Sequence, residues 1–99
     1  MKIIAIEKEL EGSSEEDFKK FANDEAKQVW HLYQEGTIRE IYFRQDIHTA
    51  VIILECIDIE ETKKILSSLP FVKNKLIEFE LFPLIPYNGF SRLFKQDIE

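Results

Sequence analysis

Glu25 lies in the stretch "FANDEAKQVWHLYQEGTIREIYFR" (Phe21 to Arg44), among residues that otherwise form one greasy face. Counting about 100° per residue from Phe18, the side chains of Phe21, Ala22, Val29, Leu32 and Tyr33 gather on one side of a helix, and Glu25 falls inside that arc. A carboxylate in such a place is paired, protonated or catalytic, because an isolated buried charge is costly. Arg39 is its expected partner. Alternation along the following strand turns Arg39, Ile41 and Phe43 toward the helices, and a guanidinium fork can bind a carboxylate through two hydrogen bonds. A buried Glu25–Arg39 ion pair is therefore expected, with ligand binding as the other role open to both residues.

The same strand carries a second set. Glu40, Tyr42 and Arg44 alternate with the first three and point away from the helices. In the last strand Ile77, Phe79 and Leu81 make the more apolar side, which leaves Glu78, Glu80, Phe82 and Leu84 on the outer face. Glu7 in the first strand and Glu55 in the third extend the group. Several carboxylates, one arginine and one phenol among apolar side chains make a cleft suited to a small acidic or lactone-like molecule. In it Arg44 would bind a carboxylate, Tyr42 would orient the substrate, and Glu40, with a raised pKa, would be the base. The same residues would also serve as a wet subunit interface in which they pair with one another. His48 is either an exposed turn residue or an acid/base at the pocket mouth. His31 falls on the solvent side of its helix, and two histidines on distant elements make no metal site. Cys56, the only cysteine, excludes an internal disulfide and a cysteine-based zinc site, and reads as a small buried hydrophobe at a strand end. No cofactor is implied.

These residues need a frame. "KIIAIEKEL" is a strand. Ser14 with Asp17 three residues on marks a helix start, and the helix runs from about Glu15 to Glu35, with Gly36 as its stop. "TIREIYFR" and "HTAVIILEC" are strands joined by a hairpin at "QDI". "DIEETKKILSSL" is a second helix, with Asp58 as its N-cap and Pro70 as its end. "LIEFELFPLIPY" is the fourth strand, placed at an edge or bulged by Pro83. The order β-α-β-β-α-β predicts a ferredoxin-like α+β domain, with two helices on one face of a four-stranded antiparallel sheet. Residues 1–99 form that single domain, with 88–99 as a C-terminal arm. "AVIIL" is apolar at every position, so both of its faces call for cover. The helices supply one cover. A second copy, sheet against sheet, is expected to supply the other, giving a homo-oligomer of two or more.

Composition narrows the partners. The formal charge of −6 without a basic stripe argues against nucleic acid and anionic membrane. The residues are 44% apolar and include eight Phe, more than one small globule needs, so part of this surface should meet a partner. The N-terminus is too charged for a signal peptide and no stretch reaches membrane-spanning length, so a cytoplasmic protein is expected.

Asp24–Glu25, Glu35–Gly36–Thr37, Arg39 and later Leu69–Pro70–Phe71, in this order and spacing, resemble the muconolactone isomerase family and its small relatives. The likeness runs from about Phe21 to Pro86. The small relatives also share "IREIYFR" and the pattern PY-x-GF-x-RLF. The resemblance implies a dimeric α+β barrel, assemblies larger than a dimer, and cofactor-free proton transfer on a small unsaturated lactone. Two departures stand out. Glu40 occupies the place where those isomerases carry His after the Arg, and their next basic residue comes one position earlier than Arg44. The leading expectation is isomerase-like proton transfer on a small lactone or acidic substrate in the inter-sheet cleft. The alternatives are a non-catalytic binding or stress-associated barrel module, and a cofactor-free monooxygenase-like protein.

Overall fold

The computed structural model describes residues 1–94. In chain order the elements are β1 (Lys2–Glu9), α1 (Glu15–Gln34), β2 (Ile38–Phe43), β3 (Ala50–Glu55), α2 (Ile59–Leu66), α3 (Pro70–Lys73), β4 (Ile77–Leu84) and a 3-10 turn at Gly89–Leu93.

Local signals set the helix ends. The Ser14 hydroxyl caps α1 by accepting from the Asp17 N–H at 3.2 Å, and it donates to the Asp17 carboxylate at 3.0 Å in place of the backbone bond that would complete a capping box. At the other end Gly36 takes φ +85°, and the N–H groups of Gly36 and Thr37 turn back to the carbonyls of Tyr33 and Leu32. That left-handed closure favours a residue without a Cβ. Asp58 caps α2 by accepting from the Glu61 N–H at 2.8 Å. Pro70 does more than close α2. It opens α3, where a missing N–H costs nothing because that group would have no helical partner.

The closure of α3 repeats the left-handed turn with a lysine. Lys75 sits at φ +58°, while its N–H bonds to the Val72 carbonyl and that of Leu76 to Phe71. A residue with a Cβ loses about 1–2 kcal/mol in this conformation, against roughly 0.5–1 kcal/mol of extra chain entropy for glycine. Lys75→Gly is therefore expected to stabilise the fold by up to about 1 kcal/mol. Urea denaturation would read this as a higher midpoint at constant slope, and a lower midpoint would refute it.

The four strands form one antiparallel sheet in the order β2-β3-β1-β4. This is the ferredoxin-like arrangement, with β1 and β3 central. Pro83 lies on edge strand β4, where a missing ladder donor can be tolerated. Ile3 stands opposite Leu54 and Pro83, and Ala5 opposite Ile52 and Leu81. Residues paired across strands share a face, so this set lies under the helices. The core includes Ile3, Ala5, Ile38, Ile52, Leu54, Leu66 and Leu69, all buried. The other face carries Ile4, Ile6, Val51 and Ile53, only half-buried, with Glu78, Glu80, Phe82 and Leu84 along β4.

Strand β2 breaks the alternation. Ile38 pairs with Leu54, but Glu40 already pairs with Ile53, which leaves Arg39 as an extra residue in a bulge. The bulge turns Ile38 into the core and Arg39 out to solvent. There the Arg39 Nε–H donates to the Gly36 carbonyl at 2.6 Å. The Glu25–Arg39 ion pair expected from simple alternation is not formed.

Candidate functional site

Glu25 turns to the backbone instead. Its Oε1 accepts from the Phe71 N–H at 2.9 Å. That N–H belongs to the first turn of α3 and has no helical carbonyl to bond, so the carboxylate satisfies an orphan donor. Glu7 plays the same part elsewhere. The β1–β3 ladder ends at Ile6 and Val51, and one residue further the Glu7 Oε1 accepts from the Ala50 N–H at 3.1 Å.

Both carboxylates line one cavity of about 430 Å³ between α1 and the helix-facing side of the sheet. Its other walls are apolar over most of their extent, with Val29 on α1, Ile41 and Phe43 on β2, Ile52 on β3, and the rings of Phe71 and Phe79. Phe71 is fixed from behind by an edge-to-face contact with Phe18, ring centroids 5.1 Å apart. Burial pushes the Glu25 carboxyl above its ordinary range; the Phe71 N–H partly offsets this, and the nearby Glu7 charge pushes the same way as burial. Burial also raises Glu7, against the Ala50 N–H; Glu9 adds to the rise and His48 opposes it. Two carboxyls that burial makes better proton acceptors, one of them also raised by the charge of the other, are suited to acid/base work in an apolar cavity.

The sequence reading placed Glu7 on the outer face, and the structure corrects this. Glu7 follows Ile3 and Ala5 on the helix side, opposite Phe79. Because Ile4 and Ile6 make the other side of β1 equally apolar, the strand pattern alone carried little signal.

The outer-face residues come together only in part. The Tyr42 hydroxyl donates to Glu40 at 2.7 Å, and this bond raises the Tyr42 pKa. Arg44, expected to bind a substrate carboxylate, is paired here with a neighbouring aspartate on the exposed surface. Asp46, two residues on, takes its guanidinium fork at 3.0 and 2.6 Å, and the pair lowers the Asp46 pKa. Glu55 accepts from the Met1 ammonium at 2.6 Å, which lowers its pKa. Glu78 and Glu80 are exposed, level with Lys8 and Ile6 of β1. His48 stacks on Phe43 with ring centroids 4.0 Å apart, and both line a shallower recess shared with Glu7 and Phe71. Cys56 is buried. No described helix is long and apolar enough to cross a membrane. Among the described residues no group of three or more His, Cys, Asp or Glu could hold a metal ion.

The Glu25 contacts predict a pH-dependent stability. A carboxyl whose folded pKa is raised contributes stability below its unfolded pKa and loses it as pH rises through the folded one. Glu25→Gln keeps an oxygen for the Phe71 N–H and never ionises. The variant is expected to melt above wild type at pH 7–8, with the difference closing as pH falls below the ordinary carboxyl value of 4.5. A variant that melts lower at neutral pH, as loss of an ion pair would make it, would overturn this account.

No family model matches the chain, and no curated protein does. Solved structures do match. One is the crystal structure of muconolactone isomerase, 15% identical, covering 90% of this chain and 93% of that one, with a TM-score of 0.71. Another is 5-chloro-2-hydroxyhydroquinone dehydrochlorinase from Burkholderia phenoliruptrix in complex with 2,5-dihydroxybenzoquinone, 14% identical, covering 90% and 98%, with a TM-score of 0.64. At these identities the likeness is one of fold, and it extends over nearly the whole of each chain.

Proposed function

We propose that this chain is a small-molecule enzyme of cofactor-independent proton transfer, working in the cavity between α1 and the sheet, with Glu7 and Glu25 as its acid/base pair. The observation that carries this reading is the pairing of two burial-raised carboxyls in one apolar cavity. The ionised member would remove a proton from a carbon next to a carbonyl. The protonated member would return one at a different carbon of the same conjugated system, so that the double bond moves and no redox step is needed. Acid/base catalysis of this kind uses carboxyls whose proton affinity is raised toward the working pH, and burial moves both Glu7 and Glu25 in that direction.

The substrate class follows from size and wall chemistry. A cavity of about 430 Å³ with apolar walls has room for a small, mostly apolar molecule. The fold neighbours are named for a lactone and a chlorinated hydroxyhydroquinone, both small oxygenated rings, which supports a lactone or related acidic ring here. The outer sheet face, with Ile4, Ile6, Val51 and Ile53 half-buried, is read as the meeting surface of two copies, and Glu40 and Tyr42 as polar residues within that contact.

The test is proton NMR in D₂O with a panel of small unsaturated lactones and keto acids. Protein-dependent deuterium incorporation is expected, because it reports proton abstraction even without net conversion. Binding without incorporation across the panel would refute the enzyme reading in favour of a binding module. Dioxygen uptake with a quinol, in place of exchange, would refute it in favour of monooxygenase chemistry.

A further inference from the structure

Beyond β4 the chain does not return to its own core. Tyr87, Phe90, Leu93 and Phe94 are 70%, 65%, 76% and 80% exposed. The radius of gyration is 17.2 Å and the long dimension 65 Å, against 29 and 21 Å for the others. A compact chain of this length has a radius near ~13 Å, so the segment after Leu84 projects from the domain. It is nonetheless ordered within itself. The Tyr87 ring folds so closely over Gly89 that a Cβ there would collide with it. The same ring stands edge to face on Phe90, with centroids 4.9 Å apart. Two aromatic rings are thus held as a fixed knob with their outer faces bare. A preformed knob loses little freedom on docking, and buried aromatic anchors dominate the stability of interfaces.

A recess of matching character lies at the other edge of the sheet. It measures about 480 Å³ between α1 and β2, with Ala26, Val29, Ile41 and Tyr42 below and Trp30 and Tyr33 as a wall. The Trp30 and Tyr33 rings stack with centroids 5.9 Å apart. Ala26, Val29, Ile41 and Tyr42 also line the cavity that holds Glu7 and Glu25, so the recess is the approach to that cavity.

The chain's own arm leaves from β4, at the opposite edge from β2. Leu84 is level with Lys2, Lys2 with Glu55, and the neighbouring Leu54 with Ile38. The end of β4 is therefore level with the start of β2. When two copies pack sheet to sheet about a two-fold axis parallel to the strands, each β4 edge lies over the other copy's β2 edge, and that level is preserved. The arm then emerges beside the stretch of α1 and β2 that carries the recess. The rim carries Arg39 and Glu40 side by side, so the apolar floor and the aromatic wall, and not net charge, are what match the knob.

We infer that the arm of one copy seats its Tyr87–Phe90 knob in the α1–β2 recess of a second copy and roofs the mouth of that copy's Glu7/Glu25 cavity. The inference rests on the sheet-to-sheet pairing and the cavity assignment proposed above. It makes each site incomplete without the partner, whose aromatic rings supply its outer wall.

Trp30 is the only tryptophan, 59% exposed in the single chain, and it reports on the recess directly. At concentrations where sedimentation shows an oligomer, acrylamide should quench it several-fold less in wild type than in Tyr87→Ala/Phe90→Ala, whose emission should shift to the red. Equal quenching in wild type and the double variant would overturn the inference. So would a chain that stays monomeric at all concentrations, or shielding that survives dilution to monomers, since the latter would place the chain's own arm in the recess. None of these readouts uses catalysis. A shielded Trp30 in a protein without exchange activity would refute the enzyme reading and keep the arm, and the converse result would do the opposite.

Discussion

Glu25→Gln is expected to lower protein-dependent deuterium exchange by about 10²–10⁴-fold, the usual contribution of a positioned acid/base group. The variant removes a titrating group and little else. Gln keeps the length of the side chain and an oxygen for the Phe71 N–H, which holds Glu25 at 2.9 Å, so the cavity should persist. Loss of exchange in a folded variant would then report chemistry. Glu7→Gln should behave alike, because the proposed mechanism needs one carboxyl ionised and the other protonated. The pH profile of the wild type should be bell-shaped for the same reason. Its two limbs belong to the pair and not to either residue, since the Glu7 charge itself raises Glu25. Both limbs should lie above the ordinary carboxyl range, because burial is the leading cause for each acid. Glu40→Gln is the control, expected to stay within a few-fold of wild type. Abolition by Glu40→Gln with retention by Glu25→Gln would move the active face to the outer side of the sheet.

The elements were readable in the sequence because each carries its own boundary chemistry. Ser14 and Asp17, Gly36, Asp58 and Pro70 mark starts and stops through short-range bonds that the structure contains. The arc that put Glu25 among apolar residues was equally local, and the residue is half-buried. The site was less readable because it depends on how strands face. A single bulged residue, Arg39, inverts the alternation of β2 at its start, and nothing in "TIREIYFR" announces it. Central strand β1 has Ile on both faces, so its pattern could not say which way Glu7 points. Arg44 is a different case. Its partner Asp46 stands two residues away in "RQD", and a local pair was the simpler reading of that spacing. Phe71 could not be found as a site residue from its type, because its backbone N–H, and not its ring, holds the carboxylate.

Leu69→Ala is expected to cost about 2–5 kcal/mol, the range for deleting a fully buried leucine side chain. Leu69 has no exposed surface, and it caps α3 through its carbonyl, which accepts from Val72 and Lys73 at 3.0 and 2.9 Å. A small domain holds about 5–15 kcal/mol in all, so this one truncation removes a large share. A second effect follows from position. Leu69 anchors the start of α3, and the Phe71 N–H two residues on is the donor that lowers the Glu25 pKa against burial. Loosening that anchor weakens the bond and should raise the Glu25 pKa further. Leu54→Ala serves as the comparison. It removes an equally buried leucine from β3, away from α3, and should destabilise similarly without moving Glu25. Denaturant unfolding reads the first effect, and a carbon-13 NMR titration of the glutamate carboxyls reads the second. A Glu25 titration equal in the two variants would mean that α3 does not transmit core packing to the site. A rise confined to Leu69→Ala would show that the proton affinity of the cavity is set by the hydrophobic seat of a four-residue helix.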